Sequence, residues 1–234
     1  MNFLKAEWRK LAIINYEINP EILLPYLPQG TELDFYQGKC YISLVGFMFL
    51  NTRLLGLSIP FHRNFEEVNL RFYVKKKEND VWKRGVVFIK EIVPKPALSI
   101  VANSIYKESY QTMPMKNRIH RQEDELLIRY SWKDKSWHSI EIRAEHKQLP
   151  MVPESEFEFI TEHYFGFTKQ KNKTSEYEVV HPQWNHYKVK DYHIEIDFEK
   201  VYGKDFESLN HQVPLSAMLA EGSEIEVKTK KYIG

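Results

Sequence analysis

Apolar and polar positions alternate with period two along much of the chain, and β-branched and aromatic residues carry the pattern. The clearest strands it predicts are Cys40 to Phe49, Val68 to Lys75, Gly85 to Ile92 and Leu126 to Trp132. Ser139 to Glu145, Tyr177 to His181, Tyr192 to Phe198 and Glu224 to Lys228 follow. The polar interval Lys133–Ser136 between two of these strands predicts a hairpin turn. Prolines open three short helices. Pro20 precedes Glu21 to Leu27, Pro96 precedes Ala97 to Lys107, and Pro153 precedes Glu154 to Tyr164 with Gly166 closing it. In the third, acidic residues crowd the first turn, where the helix dipole favours them. Strands outnumber helices and no βαβ rhythm is present. The predicted class is therefore α+β, mostly antiparallel β: a barrel or curved sheet with a few short helices. Without repeats, low-complexity tracts or a long linker, residues 1–234 read as a single domain.

Composition narrows the partners. A hydrophobic fraction of 43% with 14% aromatics suffices for a buried core. Lys+Arg 33 against Asp+Glu 32 gives a net charge of +1, not the basic excess of a nucleic-acid binder. The one dense basic run, Lys75–Lys77, adjoins Glu78, Asn79 and Asp80 and reads as a solvated hairpin tip. Cys40 stands alone in an apolar run, which excludes an internal disulfide and predicts a buried structural thiol. With no secretory h-region and no ~20-residue apolar stretch, the expectations are a cytoplasmic location and no membrane partner. The nine histidines include no H-x-H or H-E-x-x-H pattern. His181 and His186 bracket a turn-like stretch but match no ligand spacing, so neither metal nor cofactor is predicted. Phosphate loops, G-x-S-x-G elbows and C-x-x-C pairs are absent as well.

One strand is chemically rich. Period two places Glu67, Asn69, Arg71 and Tyr73 on one face, and Val68, Leu70, Phe72 and Val74 on the other. The pattern alone leaves two readings open: an exposed polar surface, or the wall of a pocket.

Four ordered blocks resemble one family. They are Leu24 to Asp34 with Gln37 to Val45, Phe65 to Val74 with Gly85 to Phe88, the Pro96 to Tyr110 helix and its exit, and Phe159 to Phe165 with Val180 to Trp184. Together, over roughly residues 3 to 230, they resemble the YqjF-like proteins, a bacterial domain of unknown function grouped with the acetoacetate decarboxylase-like fold. Glu67 to Val74 is the most specific block. The resemblance implies a cone or barrel of antiparallel strands around a central pocket.

It also implies chemistry. Acetoacetate decarboxylase forms a Schiff base on a lysine whose pKa a neighbouring lysine lowers. The matching helix begins here at Pro96–Ala97, and counting along it brings the pair to Ser109–Tyr110 or Tyr110–Gln111, neither of which contains lysine. Lys107 and Lys116 are the nearest, and neither adjoins another lysine. By the same resemblance Glu67 takes the place of a pocket carboxylate, a candidate catalytic base. Asn69, Arg71 and Tyr73 would line the pocket, Arg71 as a carboxylate clamp. Tyr110 is the candidate group in the lysine's place, with a core tyrosine as the alternative. Arg118 is a candidate second pocket cation, with a surface hairpin end as the alternative. The leading expectation is binding of a small organic carboxylate or carbonyl compound without imine chemistry. Acid–base catalysis through Glu67 is the alternative, and a scaffold module without a ligand a third. The expected partners are that small molecule and, for so aromatic a surface, a second copy of the chain.

Overall fold

The computed structural model describes residues 2–58, 60–105, 109–171 and 173–233. The chain opens with strand β1 (Asn2–Glu17), then helix α1 (Pro20–Leu23), which runs into a 3-10 turn at Leu24–Tyr26. Two short strands, β2 (Glu32–Leu33) and β3 (Phe35–Tyr36), lead into a meander of long ones. These are β4 (Lys39–Leu54), β5 (Phe65–Glu78) and β6 (Val81–Val93). Helix α2 (Pro96–Ile105) precedes β7 (Tyr110–Thr112), β8 (Met115–Gln122), β9 (Glu125–Lys133) and β10 (Trp137–Leu149). Helix α3 (Glu156–Thr161) is followed by β11 (Phe165–Gln170), β12 (Lys173–Val180) and β13 (His186–Glu195). Helix α4 (Phe198–Tyr202) and a 3-10 segment (Lys204–His211) precede β14 (Ser216–Lys228) and β15 (Lys231–Ile233).

Seven strands run β12–β11–β6–β5–β4–β1–β14, and β14 pairs back onto β12, which closes a ring. The closure is uneven. β1 holds β4 and β14 over long antiparallel ladders, whereas β11 meets β6 only at Phe165↔Gly85 and Gly166↔Val86, in parallel. A ring paired fully on one side and sparsely on the other is a cone rather than a cylinder. At the sparse side, buried Glu176 of β12 gathers Lys76 and Lys83 of the β5–β6 hairpin and Lys231 of β15 at 3.1–3.4 Å. From β14 the sheet continues through β13, β10, β9 and β8 as an outer layer.

The ring strands therefore bury both faces. On β4, Ile42, Leu44 and Met48 join the core beneath the outer layer, with Ile128, Tyr130 and Ile142. The alternate residues Tyr41, Val45, Phe47 and Phe49 join a second core inside the ring, which Phe157, Phe159 and Ile160 of α3 plug. Strands buried on both sides read as continuous apolar runs. That is why β1, with apolar residues on both faces and a break at Lys10 (φ 57°), carried no clean period-two signal.

Several boundaries differ from those the pattern predicts. Tyr192 to Phe198 is not one strand: β13 stops at Glu195, Asp197 accepts a hydrogen bond from the Lys200 amide, and Phe198 opens a helix. The helix predicted from Pro153 begins only at Glu156, behind the Ser155 cap, and ends at Thr161. The end of the Ala97 to Lys107 helix, Lys107 included, lies outside the described residues. The basic run is not a hairpin tip. Asn79 and Asp80, both left-handed (φ 51° and 62°), make the turn, while Lys75 and Lys76 sit half-buried in β5. Cys40 is 3% exposed, and burial pushes its thiol up to about 11. No helix among the described residues is long and apolar enough to cross a membrane.

Gly46 on β4 sets how closely the outer layer approaches. A Cβ there would meet the buried Tyr130 ring at 2.7 Å. Overpacking of a filled core costs about 1–3 kcal/mol. Gly46→Ala should therefore lower the melting temperature by roughly 2–10 °C, as measured by circular dichroism.

Candidate functional site

The interior of the ring holds a cavity of about 190 Å³. Strand β5 supplies its polar wall: Glu67, Asn69 and Arg71 all line it, at 2%, 1% and 7% exposure. The wall is therefore inside, and the exposed-strand alternative does not describe it. Their backbone register is fixed on both sides, with Glu67 opposite Phe47, Asn69 opposite Val45 and Arg71 opposite Ser43 of β4. On the other side a bulge at Ile89 breaks the ladder, since Leu70 pairs with Lys90 and Arg71 with Phe88. One extra residue reverses the parity of β6. Val86 and Phe88 face inward before it, and Glu91 faces inward after it.

Glu67 is held by two donors. Asn69 Nδ2 donates to its Oε1 at 3.0 Å, and the Tyr110 hydroxyl to its Oε2 at 3.2 Å. Tyr110 itself is pinned. Asn103 of α2 accepts from its amide at 2.8 Å and donates to its carbonyl at 2.9 Å, and β7 pairs Tyr110 with Glu91. The residue that stands where the resemblance places a lysine pair is thus a phenol hydrogen-bonded to the pocket glutamate. Among the described residues no lysine lines the cavity.

Arg71 has a different environment. It makes no ion pair or hydrogen bond with the described residues, and its Nε is buried without a partner. Its guanidinium lies 5.9 Å from the centre of the Tyr73 ring. Tyr73 shares the inward face but is 1% exposed and does not line the cavity; its hydroxyl joins Ser43 at 2.7 Å. Ser43 in turn donates to Asn15 at 2.5 Å, so Tyr73 belongs to a buried chain of polar side chains below the cavity. Arg118 is elsewhere. It lies on the exposed strand β8, opposite Arg129 of β9, and lines a separate depression on the outer layer with His120 and Arg143.

Three histidines that the sequence pattern did not single out for a pocket line the cavity: His62, His163 and His181. His163 follows α3 and bonds Asp34 through Nε2 at 3.2 Å, while Arg84 Nε donates to the same Asp34 oxygen at 2.7 Å. Burial pushes the His163 ring down more than Asp34 raises it, to about 4. For Asp34 burial pushes upward, but the bonds from His163 and Arg84 outweigh it and hold the carboxyl below its usual range. His163 is thus neutral at pH 7. Its Nε2–H donates to Asp34, and Nδ1 is left as a buried acceptor without a partner. His181 stacks on Trp184 at 4.1 Å; burial first, and Arg71 after it, bring its pKa down to about 4 against the pull of its bond to the Pro182 carbonyl. His186 instead faces Phe157 at 4.8 Å, so the two histidines turn to different aromatic partners. The outer part of the cavity is apolar, with Trp8, Phe47, Phe49 and Phe65 in mutual ring contact.

A cone of antiparallel strands around a mostly apolar cavity with one polar wall is the acetoacetate decarboxylase-like fold. The likeness to solved structures covers nearly the whole chain. An acetoacetate decarboxylase from Legionella pneumophila superposes with a TM-score of 0.67 at 14% identity, over 99% of this chain and 87% of that one. The enduracididine biosynthesis enzyme MppR complexed with pyruvate gives 0.69 at 9% identity, over 100% and 91%. An acetoacetate decarboxylase-like enzyme from Sphingomonas wittichii RW1 gives 0.65 at 9%, over 100% and 94%. Within that fold the chain belongs to the DUF2071 family, described as an uncharacterized conserved protein, whose model matches residues 5–224. It is also 26% identical over 186 residues to the uncharacterized protein YqjF of Bacillus subtilis (strain 168), covering 77% of this chain and 74% of that protein.

Two histidines, His163 buried and His181 half-buried, set a pH dependence. Unfolding releases His163 and His181 to an ordinary value near 6.5, so the unfolded chain binds more protons between pH 6.5 and about 4. Stability should fall as pH drops through that window, by up to ~1.4 kcal/mol per pH unit for each histidine. Urea unfolding at stepped pH checks this, and His163→Gln should flatten the slope by about one histidine's share.

Proposed function

We propose that the cavity binds a small organic carboxylate or carbonyl compound through Arg71, without a lysine imine. The observation that carries this reading is the state of Arg71: a permanently charged guanidinium at 7% exposure with no carboxylate of the described residues within ion-pair distance. An uncompensated buried charge costs several kcal/mol, and a ligand carboxylate offsets it with paired, charge-assisted hydrogen bonds. Further buried polar atoms on lining residues lack partners among the described residues: Asn69 Oδ1, His163 Nδ1, Thr52 Oγ1 and Trp8 Nε1. Such groups are costly unless something in the cavity pairs with them. MppR is complexed with pyruvate and the acetoacetate decarboxylases are named for a small keto acid, which favours the same ligand class here.

Calorimetric titration with pyruvate and acetoacetate tests the reading. Arg71→Gln should weaken binding by roughly 10- to 100-fold, since hydrogen bonds to charged groups contribute about 1.5–3 kcal/mol. Unchanged affinity in that variant overturns it. Borohydride treatment with acetoacetate should leave the protein's mass unchanged, and a lysine adduct in the mass spectrum would restore imine chemistry.

A second reading has its own observation. Glu67 is held at the cavity wall by Asn69 and Tyr110, a fixed carboxylate on the same strand face as Arg71. In it, Glu67 takes a proton from the carbon next to a ligand carbonyl. The C–H bond breaks, an O–H bond forms on the carboxylate, and the electron pair passes into an enolate whose oxygen Arg71 holds. Exchange of α-hydrogens for deuterium, followed by NMR, should then be lost in Glu67→Gln while ligand binding persists. Exchange at the wild-type rate in that variant would rule Glu67 out as the base.

A further inference from the structure

The cavity is longer and more segregated than a keto acid of three or four carbons requires. Its volume of about 190 Å³ is more than ten times the ~10–15 Å³ that one water occupies. The inward residues of three adjacent strands grade in one direction. Along β5 they run Arg71, Asn69, Glu67, Phe65; along β4, Ser43, Val45, Phe47, Phe49. Along β1 they run Ile13, Leu11, Trp8, Leu4, in step with β4 through the pairs Ile13↔Val45 and Trp8↔Phe49. From Arg71 to Phe65 is six residues of strand, about 20 Å at 3.3–3.4 Å per residue. The far end is mostly apolar, although Thr52 of β4 also lines it. Phe49 stacks on Phe65 at 4.7 Å, Trp8 meets both Phe47 and Phe49 edge-on, and Leu4 pairs with Leu54 and Val227 beyond them. Leu4, Leu54 and Val227 line the cavity yet are only half-buried, so this apolar wall reaches solvent.

We infer that the ligand is an amphipathic acid: a carboxylate or carbonyl head at the Arg71 end joined to a hydrocarbon tail that lies against Phe47, Phe49, Phe65 and Trp8. The inference rests on the head-group reading above and adds the tail. A purely polar ligand would leave the aromatic half of the cavity hydrated. A purely apolar one would leave Arg71 buried without a counter-charge, together with the unpartnered acceptors Asn69 Oδ1 and His163 Nδ1. Only a molecule with both ends satisfies both halves. Each added methylene removes more apolar surface from water, equivalent to about three- to fourfold in affinity.

A series of straight-chain 2-oxo acids, from pyruvate to 2-oxodecanoate below their micellar concentrations, tests this by calorimetry on the full chain. Affinity should climb about three- to fourfold per carbon until the cavity is filled. Val227→Trp, which fills the far end, should cut the affinity of the longest acid at least tenfold. A flat series whose short members are weakened by Arg71→Gln keeps the head-group reading and overturns the tail. A series that climbs equally in wild type and Arg71→Gln keeps the tail and overturns the head-group reading. Absence of binding across the series overturns both, and an unaltered affinity of Val227→Trp for 2-oxodecanoate overturns the placement of the tail.

Discussion

The register of β5 between β4 and β6 decides which residues face the inside of the ring. Side chains alternate, so a slip of one residue would drive Glu67, Asn69 and Arg71 into the apolar layer now filled by Val68, Leu70 and Phe72, against Ile42, Leu44 and Ile142. That would place two charges and an amide among aliphatic side chains, at several kcal/mol for each charge against a total stability of about 5–15 kcal/mol. The same slip would bring Phe72 and Leu70 into the cavity. Both faces of β5 are thus committed, one to each core, and the register is determined twice over.

The bulge at Ile89 follows from this constraint. A regular β6 that turned Glu91 toward the cavity would also turn Ile89 and Val87 inward and Phe88 outward. With one residue inserted, Ile89 and Val87 stay in the outer core while Glu91, Phe88 and Val86 all reach the cavity. A similar break at Lys10 on β1 moves the inward set from Leu4, Ala6 and Trp8 to Leu11 and Ile13. Two irregularities in long ladders thereby fit straight strands to a cone whose largely apolar interior carries one polar wall. Helix α2 does the remaining positioning, since its Asn103 clamps both backbone groups of Tyr110 and so aims its hydroxyl at Glu67.

How much of this was legible in the sequence follows from the same physics. The parity of Glu67, Asn69 and Arg71 was readable because an alternating polar set interrupts an apolar run. The direction it faces was not, because both sides of β5 are buried and only the ring tells inside from outside. Tyr73 shared the parity but sits one step below the cavity floor, a difference of depth that periodicity cannot express. Arg118 lay close in sequence to the site, yet β8 belongs to the far edge of the outer layer. Strand β1 was missed for want of alternation. Glu91 was the one lining residue with an unused signal, a carboxylate inside the apolar run Val86 to Val93. His163 had no signal of its own, because its place at the cavity depends on Asp34, 129 residues away in the chain.

The electrostatics of the cavity end differ from what a count of titratable groups would suggest. Asp34 is paired with Arg84 and also accepts from His163, so its charge is spent outside the cavity wall. Burial keeps His163 and His181 neutral, and the Arg71 charge works in the same direction on both. Glu67 is occupied with Asn69 and Tyr110. Arg71 is therefore a cation with no ion pair among the described residues, on a wall that also carries the carboxyl groups of Glu67 and Glu91. Low-dielectric surroundings strengthen the field of Arg71, as they strengthen any charge interaction removed from water. The arrangement costs stability in the empty protein, and under the proposed function an anionic ligand offsets that cost, as in other preorganised sites. The aromatic half of the cavity adds apolar surface that keeps water from competing for the same guanidinium.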